Sequence, residues 1–353
     1  MSLTRRRFTA RSLAAPLALA APVALWTSQV RAQTGSTPLI LASGGARPGA
    51  PDLSAAAFSR AADEGADFLV GGLVPSKEGV LIVRNDNELS ASTDIANRPE
   101  YAERRTTRVI AGQTREGWFA EDFTLAELKS LNLPLAGRPS RVAADRPVIL
   151  TFDDLIAIAR SACVRLARVV GVSAVLKHPS YFAALGLPME ARLAETISGQ
   201  GYDSPAAAMM VACEDPRSLA QLASLTRARR IQVAGAALTG EGTLAPEELQ
   251  STQGLTAIAR RVSALAAPAD RLLDVANLKA IGASTLTASA LAAHLPLIAV
   301  TETPGLAFPP PPLRPGDMRR LLAILFASGS LGVWTDEVSL AVRARNDALS
   351  VRR

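Results

Sequence analysis

The chain has 353 residues, of which 48% are hydrophobic and 20% are charged. This composition supports a large buried core and excludes a chain that is disordered throughout. Only two histidines (His178 and His294) and two cysteines (Cys163 and Cys213) occur, which excludes a cysteine-rich zinc module and a disulfide-dense scaffold and leaves few imidazoles for catalysis.

Much of the positive charge lies at the N-terminus. The net charge is +6, but five arginines lie in residues 1–32, which contain no Asp, Glu or Lys. The remaining residues carry a net charge of only about +1 by side-chain counting. The charge balance therefore gives no support to nucleic-acid binding, and we expect no nucleic-acid partner.

Residues 1–32 have the order of an export signal. Thr4-Arg5-Arg6-Arg7-Phe8 precedes an apolar run from Ser12 to Trp26, and the small-x-small motif Val30-Arg31-Ala32 follows. This order is typical of a cleavable signal, and the paired arginines resemble the twin-arginine signals of bacteria. We predict that residues 1–32 direct export to the periplasm or the medium, leaving 33–353 as one mature domain.

The alternative for the N-terminal segment is a retained membrane anchor. Its apolar stretch, residues 13–25, is shorter than the roughly 20 residues of a membrane span, and Pro16 and Pro22 interrupt it. No later segment is apolar for long enough to span a membrane, so we predict no transmembrane span in the mature chain.

In an oxidising compartment Cys163 and Cys213 form either one bridge or two separate buried thiols.

Strand-like runs alternate with helix-like runs along most of the chain. The predicted strands are Pro38–Ser43, Asp67–Val74, Val80–Asn85, Val169–Lys177, Ala207–Cys213, Ile231–Ala237, Leu272–Asn277, Pro296–Thr301 and Gly332–Asp336. Helical spacing of apolar residues marks stretches such as Phe58–Ala66, Leu155–Val169, Leu219–Arg229 and Met318–Ala327. This alternation predicts an α/β fold, and a TIM (β/α)8 barrel of about 250 residues fits the mature length.

Three segments depart from this alternation. The second and third predicted strands are joined only by residues 75–79, which predicts a hairpin. Asn87 to Arg146 is polar and irregular, with one short helix over Thr124–Leu131, and is predicted to be an insertion packed over one end of the barrel. The proline run Phe308–Pro312 is predicted to be a stiff loop brace.

Six segments carry a resemblance to a known family. They are Pro38–Ala46 with Pro51-Asp52, Gly65–Asp86, Asp122–Leu131, Val148–Asp154, Ala174–Lys177 and Gly332–Asp336. In this order they resemble the glycerophosphodiester phosphodiesterases, and the insertion after Asp86 is similar to the periplasmic branch. The resemblance implies a TIM barrel that hydrolyses glycerophosphodiesters to an alcohol and glycerol 3-phosphate, with two catalytic histidines and a Ca²⁺ or Mg²⁺ ion held by three carboxylates.

The positions that match the family's site hold other residue types. The two histidine positions fall on Ser43 and Asn85, and the three metal-ligand positions fall on Val70, Gly72 and Val175. Valine and glycine side chains cannot ligate a hard cation, and serine and asparagine do not carry protons near pH 7. We therefore assign no catalytic or metal-binding residue and expect no cofactor.

Six residues remain as candidate ligand contacts because they lie near predicted strand ends, where barrels place their sites. They are Asp52, Asp86, Lys177, His178, Trp334 and Asp336. The Lys177 ammonium either receives a phosphate or carboxylate or pairs with Asp86 or Asp336. His178 is either a replacement base or a loop histidine, and Trp334 either stacks on a ligand or packs in the barrel.

These observations leave three hypotheses for function. The first is a non-catalytic relative, a pseudoenzyme, that binds a small polar or phosphorylated ligand or a protein partner. The second is an active phosphoric diester hydrolase with a site rebuilt from Lys177, His178 and the remaining aspartates. The third is an envelope structural or assembly protein, for which the barrel is only a rigid body. The sequence does not identify the ligand or the partner.

Overall fold

A computed structural model describes residues 37–46, 50–134, 147–235, 244, 246–275, 281–302, 308–309 and 314–350. The predicted export signal and most of the proline run lie outside these residues. Within the described ranges, no helix is both long enough and apolar enough to cross a membrane.

The strands are short and most of them are buried. In chain order they are β1 (Leu39–Ser43), β2 (Phe68–Pro75), β3 (Leu81–Val83), β4 (Thr106–Ile110), β5 (Gln113–Gly117), β6 (Gly171–Leu176), β7 (Met209–Cys213), β8 (Arg229–Val233), β9 (Ala264–Pro268), β10 (Leu273–Asp274), β11 (Gly282–Ala283), β12 (Leu297–Val300) and β13 (Gly332–Thr335).

Eight of these strands form a closed parallel barrel. They run in the order β1-β13-β12-β9-β8-β7-β6-β2, and β2 pairs in turn with β1. The helices are α1 (Ala55–Glu64), α2 (Leu125–Ser130), α3 (Phe152–Leu166), α4 (Pro179–Ala184), α5 (Met189–Gly199), α6 (Pro216–Leu225), α7 (Pro246–Gln250), α8 (Thr252–Ala259), α9 (Ala269–Leu272), α10 (Thr285–Ala292), α11 (Met318–Ala327) and α12 (Val338–Ser350). The predicted α/β class and TIM barrel are confirmed.

The two edges of β2 position the site. One edge pairs with β6 along residues 68–73. The other edge pairs with β1 along residues 68–70 and then with the antiparallel β3 along residues 73–75. The predicted hairpin is therefore confirmed, and Gly79 supplies the positive φ of 77° that its turn requires. Because β1 stops early, β3 extends the barrel wall on this side.

One predicted strand is wrong. The sixth parallel strand of the barrel is β9, whereas Leu272–Asn277 contributes only β10, which pairs with β11 outside the barrel; residues 276 and 277 lie outside the described ranges. The sequence of β9 is Ala-Leu-Ala-Ala-Pro, and alanine has a high helix propensity and a low strand propensity. Burial on both faces of the barrel wall overrides that local preference.

The insertion after the hairpin contains both expected and unexpected structure. Its predicted helix is α2, and the capping box of Thr124 with Glu127 is present. The β4–β5 hairpin was not predicted, because its strands have little apolar alternation.

Cys163 and Cys213 are separate free thiols, so the alternative of a bridge is wrong.

Candidate ligand-binding site

The barrel mouth is the end at which the parallel strands finish, and most of the candidate residues lie there. Ser43 ends β1 opposite Val70 of β2. Ala42 pairs with Thr335, so the next residue along, Asp336, lies beside Ser43. Lys177 follows β6, the neighbour of β2 on its other edge. The chain thus brings polar side chains from β13, β1 and β6 to one rim.

Apolar side chains fill the barrel beneath this rim. Val70, Val175 and Trp334 are 2%, 4% and 8% exposed, and they belong to one cluster of inward-facing residues with Phe68 and Met210. Trp334 therefore packs in the interior. Val70 and Val175, at two of the three positions matched to metal ligands, offer no oxygen to a cation.

The third matched position is closed sterically. A Cβ atom built on Gly72 would lie 2.5 Å from the carbonyl oxygen of Arg84 and 2.6 Å from Oδ1 of Asn85. No side chain fits there unless the backbone moves. The residues at all three positions thus do not fit the divalent cation of the family. Among the described residues, no three His, Cys, Asp or Glu side chains are grouped so as to hold a metal ion.

Asp86 is the centre of a small charged cluster. It accepts a hydrogen bond on Oδ2 from Arg115, which reaches over from β5 of the insertion. Its Oδ1 lies 3.8 Å from Nε2 of His178 and accepts a 3.3 Å hydrogen bond from the backbone N–H of Glu88. Asp86 therefore both shapes the turn after β3 and links the insertion to the loop after β6.

His178 lies in this cluster with little exposure. Its side chain is 21% exposed, and its backbone adopts the left-handed conformation, with φ of 49°, directly before α4. Burial lowers the pKa of His178, the charge of Asp86 opposes this effect, and the cations Lys177 and Arg115 lower the pKa further. The imidazole is consequently neutral at pH 7.

Lys177 forms no ion pair with a carboxylate in the described ranges. Its backbone N–H donates to the carbonyl of Leu73 at 3.2 Å. The ion pairs of Asp86 go to Arg115 and His178 instead, and within the described chain no carboxylate lies at ion-pair distance from the Lys177 ammonium. The alternative in which Lys177 pairs with Asp86 or Asp336 is therefore wrong.

Arg84, immediately after β3, is a cation that the sequence analysis missed. It is 3% exposed. Its Nη2 donates to the carbonyl of Ser92 over a long 3.4 Å contact, and its Nη1 is buried with no hydrogen-bond partner among the described residues. Burial lowers the pKa of Arg84 to about 10, and the charge of Asp52 opposes this effect. The sequence does contain one indication of this buried cation, because Arg84 directly follows the apolar run Val80–Val83.

A second polar network ties the insertion to α4. Glu121 accepts hydrogen bonds from the Tyr181 hydroxyl at 2.5 Å, from Nδ2 of Asn87 at 3.1 Å and from Nη1 of Arg108 at 3.3 Å. Burial raises the pKa of Glu121, and burial with the Glu121 contact raises the pKa of Tyr181 to about 12. The hydroxyl therefore remains protonated and holds the insertion against the loop after β6.

The remaining predicted residues lie elsewhere on the rim. Asp52 is exposed in the loop between β1 and α1, where Ser54 caps the helix. Asp336 is 8% exposed and lines a cavity of about 360 Å³ with Glu302 and Glu337. The structure thus gathers Asp86, Lys177 and His178 into one cluster. Trp334 lies on β13, Asp336 directly follows that strand, and Asp52 lies near Arg84.

The sequence of this chain is similar to one family of known proteins. The sequence model of the Glycerophosphoryl diester phosphodiesterase family matches residues 42–242. Glycerophosphodiester phosphodiesterase GDPD6 of Arabidopsis thaliana is 37% identical over 174 residues, which are 47% of this chain and 45% of that protein. The glycerophosphodiester phosphodiesterase of Haemophilus influenzae is 26% identical over 189 residues, 50% of each chain. The matches thus span about half the length of these curated relatives.

Solved structures share the fold over a larger part of the chain. A glycerophosphodiester phosphodiesterase from Agrobacterium tumefaciens superposes with a TM-score of 0.56 at 15% identity, covering 86% of this chain and 98% of the other. An Oleispira antarctica phosphodiesterase, solved in complex with the product sn-glycerol-3-phosphate, gives a TM-score of 0.58 at 16% identity, with 88% and 97% covered. At such identities these structures show a common barrel.

Proposed function

This chain belongs to the Glycerophosphoryl diester phosphodiesterase family, and on that premise we propose that it binds a phosphorylated small molecule at the barrel mouth, without a metal ion and without hydrolysing it. The observation that carries this proposal is the apolar packing of Val70 and Val175 beneath the rim. A cation placed between these side chains would lose its hydration and gain no ligand in return.

The unpaired Lys177 supports an anionic ligand. Within the described residues the Lys177 ammonium has no carboxylate partner, so its hydrogen-bond donors and its charge are available to a ligand at the barrel rim. A phosphate oxygen satisfies both, through a charge-assisted hydrogen bond. The neighbouring Asp86 does not compete for Lys177, because Arg115 already neutralises it.

A second candidate function rests on His178. A neutral imidazole whose Nε2 lies 3.8 Å from Asp86 resembles a base held by a carboxylate. Such a pair favours a hydrolase with a rebuilt, metal-independent site. The proposal of binding alone is preferred because hydrolysis also needs an acid that protonates the leaving alkoxide, and the only other histidine, His294, lies just before β12, at the opposite end of the barrel.

A hydrolysis assay separates these two functions. Purified protein is incubated with glycerophosphocholine and glycerophosphoethanolamine, with Ca²⁺, Mg²⁺ or EDTA, and release of glycerol 3-phosphate is measured. We expect no release above a protein-free blank in any condition. Release abolished by EDTA would contradict the proposal, and release that persists in EDTA but is lost in His178→Ala would establish the second candidate.

The same proposal includes the location of the protein. The order of residues 1–32 supports export through a twin-arginine-type signal. Replacing Arg5, Arg6 and Arg7 with lysine should retain the protein in the cytoplasm, and cell fractionation measures this. Unchanged export of that variant would contradict the proposed signal.

A further inference from the structure

Two cations that form no ion pair with another described residue flank β2 at Gly72 and Leu73. The backbone N–H of Arg84 donates to the carbonyl of Gly72 at 2.8 Å, and that of Lys177 donates to the carbonyl of Leu73 at 3.2 Å. Consecutive carbonyls of a strand point to opposite edges, so Arg84 and Lys177 lie on either side of β2. With strands about 4.8 Å apart, their backbones are separated by about 10 Å.

Both side chains leave the backbone towards the barrel mouth. Val175 faces the barrel interior, and Lys177, two residues later, faces the same side because strand residues alternate. Val83 faces outward, since a Cβ on Gly71 would touch both Val83 and Leu155 of α3. Arg84 follows Val83 and therefore faces the mouth.

The environment of Arg84 is unusual for a structural arginine. A buried guanidinium normally uses its donors, and one left unpaired is energetically costly. Within the part of the chain that the structure describes, Nη1 of Arg84 has no partner and Nη2 makes the long contact to Ser92 alone. A second cation, Lys177, lies across β2 from Arg84, and the charge of Asp52 acts on Arg84 from the loop after β1.

We propose that Arg84 and Lys177 form a phosphate clamp across Gly72, and that this clamp selects a phosphomonoester. The inference rests on the proposed function, because it requires a phosphorylated ligand at the mouth. A phosphomonoester carries close to two negative charges at pH 7 and three free oxygens, enough for a guanidinium and an ammonium at once. A phosphodiester carries one charge and two free oxygens.

The clamp also accounts for the closed position at Gly72. A side chain there would collide with the turn of Arg84 and Asn85, so Gly72 permits that turn to approach β2 and places Arg84 beside the strand end. Because Nη1 is buried, an entering oxygen must displace the groups that cover it. The two cations would then supply positive charge beside a position that has no room for a metal-binding side chain.

The test compares methyl phosphate with dimethyl phosphate by titration calorimetry at pH 7.5 in EDTA. We expect the wild-type protein to bind methyl phosphate at least about tenfold more tightly than dimethyl phosphate. Arg84→Met should weaken methyl phosphate binding by about tenfold or more and remove the preference. Arg168→Met is the matched control, because Arg168 donates to the carbonyls of Ala66 and Ala62 away from the mouth.

The outcomes separate the clamp from the proposed function. If the wild-type protein binds neither probe, the proposed function fails together with the clamp. If it binds methyl phosphate and Arg84→Met binds equally well, only the clamp is overturned, and Arg84 merely holds Ser92. If Arg84→Met does not fold, the Arg84→Lys variant is used instead, because lysine keeps the charge but lacks the planar guanidinium. Methyl phosphate binding that is several-fold weaker in this variant than in wild type supports the clamp. Unchanged affinity overturns it.

Discussion

Arg84 and Lys177 bind consecutive carbonyl groups of β2 from opposite sides, at 2.8 and 3.2 Å. Gly72 lies between them, and the apolar side chains of Val70 and Val175 lie below. In this arrangement the positive charge at the barrel mouth is carried by protein side chains. The three positions that resemble the family's metal ligands hold two apolar side chains and a glycine with no room for a side chain.

Introducing one carboxylate beneath the rim should destabilise the barrel without creating a metal site. Val175→Glu places a carboxyl group among apolar side chains with no partner, at a cost of at least about 3 kcal/mol in the free energy of unfolding. Val164→Glu is the matched control, because Val164 is 86% exposed. Urea denaturation with and without Ca²⁺ measures the stability of both variants. If the Val175→Glu variant were stable and Ca²⁺ stabilised it further, the apolar packing beneath the rim would not exclude a metal ion.

The pKa of His178 should report on its charged neighbours. Asp86→Asn should lower this pKa further, because the aspartate charge raises it, and Lys177→Met should raise it, because the ammonium lowers it. NMR titration in a His294→Gln background follows the single remaining imidazole. A bound phosphate should also raise the pKa of His178, and no change at saturating phosphate would place the ligand elsewhere.

Tyr181 should couple the insertion to the barrel. Tyr181→Phe removes the hydroxyl that donates to the buried Glu121 carboxylate, which should lower the free energy of unfolding by about 1–2 kcal/mol. Tyr202→Phe is the control, since the Tyr202 hydroxyl has no hydrogen bond within the described chain. Equal urea midpoints for the two variants would show that the network does not hold the insertion.

Acid should weaken the helix at the end of the insertion. The hydrogen bond from Arg104 and the capping box with Thr124 hold the pKa of Glu127 at about 2, below its ordinary value of 4.5. A lowered folded-state pKa gives stability that is present above pH 4.5 and lost as pH falls towards 2. The urea midpoint should therefore fall less steeply over this range in Glu127→Gln than in wild type; parallel curves would contradict the assignment.

Regular periodicity allowed most of the barrel to be predicted. The hairpin, α2 and seven of the barrel strands follow from apolar runs bounded by turn or capping residues. The strand β9 could not be predicted in this way. Its alanine-rich sequence does not favour a strand by itself, and the strand forms because both of its faces are buried in the barrel wall. The β4–β5 hairpin is largely exposed and gave no apolar alternation.

The candidate site was predictable only in part. Lys177 and His178 could be placed at the mouth because they follow a buried strand directly. Whether Asp86 pairs with Lys177 or with Arg115 depends on where the insertion folds, and local sequence does not fix that contact. Arg84 was missed because it stands out only through its buried Nη1, which has no hydrogen-bond partner among the described residues. Burial and hydrogen bonding of a single nitrogen are visible only in the three-dimensional structure.

The most direct measurement is calorimetric titration of the purified protein with sn-glycerol 3-phosphate, once in EDTA and once with excess Ca²⁺. We predict saturable binding with the same dissociation constant in both conditions, weakened in Lys177→Met and unchanged in Lys129→Met, whose charge already pairs with Asp154 at 3.0 Å. Binding that appears only with Ca²⁺, or no binding in either condition, would contradict metal-independent phosphate recognition.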